Sequence, residues 1–231
     1  MQKWLLMVGL VVAMGDAGAQ VRDDPSLFDV PAIRSSWDDL TEGIESAEDW
    51  ERRQEILRAQ FLRLIRDEYK PERPPLDLKV HEETIVENLY RRQLISYAVE
   101  ADERAHAYLG IPLNLQGPAP AVVALHGTYV EGSRRVAGLV DNHDKAYLDH
   151  LCRRGYVVIA PEHFVSGRRT PAAGAYDTTA FYQKHPEWTA VGKFTYEHSI
   201  AIDVLRQHEL VDADKIGTLG HSLGGHGAIF L

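Results

Sequence analysis

A serine hydroxyl becomes a useful nucleophile only when the chain lifts it onto a tight turn and sets donors where negative charge will develop. Gly220-His221-Ser222-Leu223-Gly224-Gly225 has the residue types for this, since it contains G-x-S-x-G. The apolar run Ile216 to Leu219 leads into it, and Ala228-Ile229-Phe230-Leu231 follows as an apolar helical segment. In a strand, turn, helix context the glycines permit a strained turn that raises Ser222 above a sheet edge. A phosphate loop is the competing reading, but it would want a lysine or G-x-G-x-x-G, and neither stands here.

Acyl transfer also needs two hydrogen-bond donors aimed at the developing oxyanion. His126-Gly127-Thr128 ends a second apolar run, Ala121 to Leu125, and in a parallel sheet it would open on the same carboxyl edge as Ser222. The amide of Leu223, directly after the serine, supplies one donor and that of Thr128 the other, with Gly127 as the alternative. His126 itself reads as a satisfied structural histidine. A general base is harder to place. His221 adjoins Ser222 but points away from it, and His226 sits four residues along the same helix, where it cannot reach back over the turn.

Other residues carry less. Tyr176, Phe181, Tyr182 and Trp188 fall in a long irregular stretch, Glu162 to about Lys193, where they either line a pocket or pack the loop. Arg168 and Arg169 could clamp a substrate carboxylate, although solvated surface arginines are the better reading. No H-E-x-x-H or carboxylate-rich loop suggests a metal, and no cofactor is expected. Cys152 is the single cysteine, which excludes an intramolecular disulfide and leaves a buried thiol as the expectation. Lys and Arg number 25 against 34 Asp and Glu, a net charge of −9, which argues against nucleic acid as a partner.

The elements that must position these residues follow from the hydrophobic pattern. Lys3, the apolar run Trp4 to Met14 and Ala17-Gly18-Ala19 read as a secretory signal peptide cleaved after Ala19, the run being far short of the ~20 residues of a membrane span. After a polar leader, Ser46 and Asp49 form a capping box for a helix with Trp50, Leu57, Phe61, Leu64 and Ile65 on one stripe. Pro71, Pro74 and Pro75 end this extension. Arg92 to Ala98 and Ala105 to Leu109 read as a hairpin. Three buried strands, Ala121–Leu125, Tyr156–Ala160 and Ile216–Leu219, then alternate with helices from about Lys145 to Arg154 and Tyr196 to His208, the pattern of a parallel sheet covered on both faces.

From about Tyr90 to Leu231 the sequence resembles the α/β-hydrolase superfamily, and within it the dienelactone hydrolase and acetyl xylan esterase-like group. The resemblance rests on Pro120–Gly127, on Arg154-Gly155-Tyr156-Val157-Val158-Ile159-Ala160-Pro161, and on Val211-Asp212-Ala213-Asp214-Lys215-Ile216-Gly217 leading into the elbow. Pro161-Glu162 replaces that group's usual Pro-Asp. The resemblance implies an α/β-hydrolase fold, a mostly parallel sheet with helices on both faces, for the domain over residues 76–231, which follows the leader and helix over 20–75 and the signal peptide over 1–19 read from the residues above. It implies a secreted serine hydrolase of small-molecule or carbohydrate esters that forms an acyl-enzyme on Ser222. The superfamily's triad runs Ser, then Asp or Glu, then His on later loops. Both the acid and the base are therefore expected beyond Leu231, as is the C-terminal part of the fold, because an apolar last strand would otherwise be an open edge. Two other readings remain: a peptidase similar to the prolyl oligopeptidase catalytic domain, and a catalytically incomplete fragment whose helical extension binds a partner.

Overall fold

The computed structural model describes residues 36–231 apart from Asn142. The expected signal peptide lies outside the described residues. The chain divides into two compact units, Met1–Gln54 and Glu55–Leu231.

In the first unit, helix α1 (Ser36–Thr41) precedes α2 (Ala47–Leu64), whose second half belongs to the second unit. The expected capping box forms: the Asp49 amide donates to Ser46 Oγ at 3.1 Å and the Ser46 hydroxyl to Asp49 Oδ2 at 2.7 Å. The stripe expected to bury itself largely does not. Leu64 is 76% exposed, and no residue of α2 is buried. Only the end of the stripe is anchored: Phe61 stacks on Phe230 with ring centroids 4.8 Å apart, and Ile65, past the helix end, is buried.

The second unit is a six-stranded mixed sheet. Its strands are β1 (Lys79–Val86), β2 (Tyr90–Glu100), β3 (Glu103–Pro112), β4 (Ala119–Leu125), β5 (Val157–Pro161) and β6 (Val211–Gly220), in the order β1-β2-β3-β5-β4-β6. The first three form an antiparallel meander joined to β5, whereas β5, β4 and β6 run parallel. Side chains alternate between the two faces as strand geometry requires. Val157 and Ile159 join one core with Val123, Leu125, Ile95 and Tyr97, and Val158 and Ala160 join the other with Ala124, Leu94 and Tyr90. Helices α3 (Ser133–Val136) and α4 (Tyr147–Cys152) cover the second core; α6 (Ala190–Arg206) covers the first. The contact of α4 with β3 is close: a Cβ on Gly110 would stand 2.4 Å from Cys152 Sγ. Cys152 is buried as expected, and burial pushes its thiol up in pKa.

Two expectations need correction. The strand expected at Ile216–Leu219 starts five residues earlier and is mostly exposed, because no further strand pairs with its outer side among the described residues. The stretch expected to be irregular up to Lys193 holds α5 (Thr179–Lys184) and the first turn of α6, capped where Thr189 Oγ1 accepts from the Gly192 amide at 2.9 Å.

Candidate active site

The chain leaves β4 toward β5 on one side and returns to β6 on the other, so β4 and β6 flank a topological switch point. Crevices at the carboxyl ends of strands at such a point are where open α/β sheets bind ligands. The register sets Leu125 opposite Gly220, so the two following loops start level with each other.

The β6 loop is a strained turn. Ser222 has φ 55° and ψ −122°, a sparsely populated conformation for a residue with a Cβ, costing about 1–3 kcal/mol. It caps α7 (Leu223–Phe230) from the left-handed side and makes no capping hydrogen bond with its hydroxyl. The flanking glycines are required by contact. A Cβ on Gly220 would meet Gly224 O at 2.0 Å, and one on Gly224 would meet Leu125 O at 2.3 Å. Ser222 is exposed, and Leu223 follows as the first residue of α7, whose leading amides have no partner within the helix.

The β4 loop lies against this turn, since a Cβ on Gly127 would stand 3.0 Å from His221 O. Thr128 is exposed and Gly127 buried. Tyr129 shares a hydrogen bond of 3.1 Å between its hydroxyl and His221 Nδ1, while Arg135 lies over its ring. His221 is thus engaged away from the serine. His226 stands on the exposed side of α7 with its ring over Phe230. Among the described residues, none accepts or donates a hydrogen bond at the Ser222 hydroxyl.

His126 is wholly buried and does not stand alone. The His163 amide donates to His126 Nε2 at 3.1 Å, so the His126 proton is on Nδ1, 2.7 Å from Gly127 O. His163 Nε2 donates to His126 O at 2.8 Å, which leaves its Nδ1 to accept from His198 Nε2 at 3.2 Å. That order predicts an unused lone pair on His198 Nδ1, and this atom is buried without a partner. Burial holds all three rings neutral, lowering His126 to about 4, His198 to about 3 and His163 well below the usual histidine value.

Beside the elbow, Leu223, His163, Phe164, Tyr176, Val191 and Phe194 are among the residues lining a cavity of about 380 Å³. Of the aromatics singled out in the sequence, Tyr176 reaches this cavity. Phe181 and Trp188 are buried in the loop's own packing, with ring centroids 6.0 Å apart, and Tyr182 is exposed.

Arg169 is not a solvated surface residue, whereas Arg168 is exposed but ion-paired. Arg169, its side chain 8% exposed, pairs with Glu197 and Glu103; Lys193, 3% exposed, pairs with Glu197 at 3.0 Å, with Glu103 at 2.7 Å and with Glu100. Arg168 holds the buried carboxylate of Glu162 at 2.8 Å, and Glu162 also accepts from the Arg168 amide. These groups tie the β2–β3 turn and the loop after β5 to α6. They are occupied by one another, which leaves no free guanidinium for a substrate carboxylate. Sequence reasoning missed His163, His198 and this cluster. The one available signal was position, because His163 follows β5 at the same carboxyl edge as the β4 and β6 loops.

A mixed sheet with helices on both faces, a strained G-x-S-x-G turn at the end of its parallel part and a second loop level with it define an α/β hydrolase. The model of the dienelactone hydrolase family matches residues 105–231, more than half of the chain, and the chain belongs to that family. It is 30% identical over 178 residues to the protein named as hydrolase YtaP in Bacillus subtilis (strain 168), covering 73% of this chain and 56% of that one. Solved structures share the fold: a Bacteroides fragilis NCTC 9343 protein assigned as an acetyl xylan esterase, with TM-score 0.68, 17% identity and coverage of 80% of this chain and 50% of that one. Acetyl Xylan Esterase 1 from Thermoanaerobacterium sp. JW/SL YS485 gives TM-score 0.56 at 17% identity, covering 75% and 53%. The chain spans about half the length of the proteins it matches. Among the described residues, no helix is long and apolar enough to cross a membrane.

Proposed function

We propose that this chain carries the nucleophile and oxyanion hole of a serine ester hydrolase. Ser222 Oγ bonds to the acyl carbon of a carboxylic ester, its proton passes to a base, and the alcohol leaves with a proton as the acyl-enzyme forms. Water then releases the acid. The amides of Leu223 and Thr128 hold the oxyanion, with Gly127 as the alternative second donor. The observation that carries this reading is Ser222 at φ 55° on a turn whose glycines admit no Cβ, because strain of that kind persists only where the surroundings enforce it.

Among the described residues the acid and the base are not assembled at Ser222: His126, His163, His198 and His221 are engaged elsewhere, and His226, which lines the cavity beside Leu223, has its ring over Phe230. The largely apolar cavity beside Leu223 favours an ester with an apolar group on one side of the scissile bond over a charged one. Its lining by Tyr176 and Phe194 also suits the apolar face of an acylated sugar. The family's likeness to esterases and the N-terminal segment 1–19 support a secreted protein.

The test uses the gene product with whatever follows Leu231. It should turn over p-nitrophenyl acetate and take up a fluorophosphonate at Ser222, and Ser222→Ala should abolish both. A Ser222→Ala protein that keeps its esterase activity sinks the assignment. Mass spectrometry of the exported protein, with its N-terminus at Gln20, tests secretion.

A further inference from the structure

Resting on the reading of Thr128 as an oxyanion donor, the loop shows how that donor is aimed. The Thr128 N–H belongs to the same peptide plane as the Gly127 carbonyl, and in a trans peptide the two point in opposite directions. Whatever grips the carbonyl therefore sets the direction of the N–H. Three donors converge on Gly127 O: the Tyr129 amide at 2.8 Å, His126 Nδ1 at 2.7 Å and the Tyr176 hydroxyl at 3.1 Å. A carbonyl oxygen has two lone pairs, so this one is fully used. The Tyr129 amide is local to the turn and the His126 proton is fixed by His163 from behind. Tyr176 alone arrives from a distant segment, 49 residues along the chain.

Its arrival is built with some effort. Tyr176 sits at φ 66°, a left-handed conformation that a tyrosine rarely adopts, and its amide is tied to Val165 O at 2.8 Å. From there the single O–H is shared between Gly127 O and Tyr129 O at 3.0 Å, the carbonyls on either side of Thr128. The ring meanwhile lines the cavity beside Leu223. One side chain thus touches the substrate space and braces the peptide that would stabilise the transition state.

The geometry points to Tyr176 as a positioning residue of the oxyanion hole, its hydroxyl holding the Gly127 carbonyl so that the Thr128 N–H faces the substrate's carbonyl oxygen. Donors on the carbonyl also polarise the peptide and strengthen its N–H as a donor. This role belongs to the transition state, where the oxyanion carries full charge, so it acts on kcat rather than on substrate affinity.

Tyr176→Phe in the full gene product keeps the ring and removes the hydroxyl. Loss of an entire oxyanion donor costs about 10²- to 10³-fold, and a donor that is present but unbraced should cost about tenfold in kcat on p-nitrophenyl acetate. KM should stay within about twofold, since the ring remains. Affinity for a short alkyl boronic acid, whose tetrahedral adduct on Ser222 puts an oxygen in the hole, should fall by the same factor as kcat/KM. An unchanged kcat and boronate affinity, or a rise in KM alone, overturns the proposal. A second measurement needs no variant: the Thr128 amide proton of the wild-type enzyme should move downfield when the boronic acid binds, and a resonance that stays put refutes the role. Ser222→Ala run alongside separates the two failures, because retained turnover there removes the nucleophile assignment itself.

Discussion

Gly224→Ala isolates the fit between the elbow and the β4 loop. Its Cβ would stand 2.3 Å from Leu125 O and 2.7 Å from His126 O, whereas ordinary contact begins at 3.4 Å, so one side must move by about 1 Å. Neither side is a flexible side chain; both carbonyls are backbone at the end of β4. Overpacking of this kind costs about 1–3 kcal/mol, which in a chain of this size lowers the melting temperature by about 2–12 °C. The larger effect should be on rate. The displaced backbone leads directly into Gly127 and Thr128, and a misplacement of about 1 Å in a catalytic constellation costs about 10²-fold. Gly225→Ala is the matched control, since its Cβ would meet nothing nearer than Gly220 O at 3.6 Å. It should raise stability by about 0.4–1 kcal/mol, through the smaller conformational freedom of the unfolded chain, and leave kcat/KM within twofold. Calorimetry and ester kinetics on the pair decide the matter. If Gly224→Ala melts and turns over like Gly225→Ala, the close approach of elbow and loop is not what the packing requires.

Arg169→Met leaves Glu197 and Glu103 without their guanidinium, and removing one partner of a buried ion pair costs about 3–5 kcal/mol; urea unfolding should show it, and a loss under about 1 kcal/mol contradicts the cluster's burial. The buried histidines make stability fall in mild acid. Burial holds His126 at about 4 and His198 at about 3, so from pH 6.5 downward the unfolded chain takes up protons the native state refuses, and the urea midpoint should drop steadily between pH 7 and 5. Burial alone would raise Glu103, but Arg169 and Lys193 outweigh it and hold the carboxyl at about 2, so its contribution is present above about pH 4.5 and is lost only as pH falls toward 2. Val191→Trp, at the half-open side of the cavity, should cut kcat/KM for p-nitrophenyl hexanoate at least tenfold more than for the acetate; equal losses place the apolar group elsewhere.

The strands that carry the site were legible because they are buried on both faces. Ala121–Leu125 and Tyr156–Ala160 show that burial as unbroken apolar runs, and the structure puts β4 and β5 there. Strand β1, Lys79–Val86, left no trace in the sequence reading for the opposite reason. Seven of its eight residues are exposed, and an antiparallel edge that buries nothing needs no hydrophobic period. The start of α6 was hidden differently. Gly192 and Lys193 read as loop residues, yet Gly192 is where a Cβ would meet Trp188 Nε1 at 2.3 Å, and Lys193 is buried among Glu100, Glu103 and Glu197.

The same division runs through the site, and it separates requirements a short peptide imposes on itself from those met by distant partners. A turn at φ 55° with backbones in contact on both flanks leaves no room for a Cβ at positions 220 and 224, so the two glycines of G-x-S-x-G expose the geometry. The brace behind the β4 loop has no such obligation. His163 and His198 lie 37 and 72 residues beyond His126, and any residue able to fill the space and satisfy one donor or acceptor would read the same in isolation. Arg168 and Arg169 show how far local reading can stray. Adjacent arginines in a polar loop are ordinarily solvated, yet Glu103 and Glu197, from β3 and α6, make Arg169 a buried strut, while Arg168 stays exposed and pairs with the buried Glu162 at β5's end. The consequence is specific: substitutions in the elbow should be intolerant one residue at a time, whereas the histidine brace and the ion cluster should tolerate paired changes that keep volume and charge balance, because each residue there is constrained only through its partner.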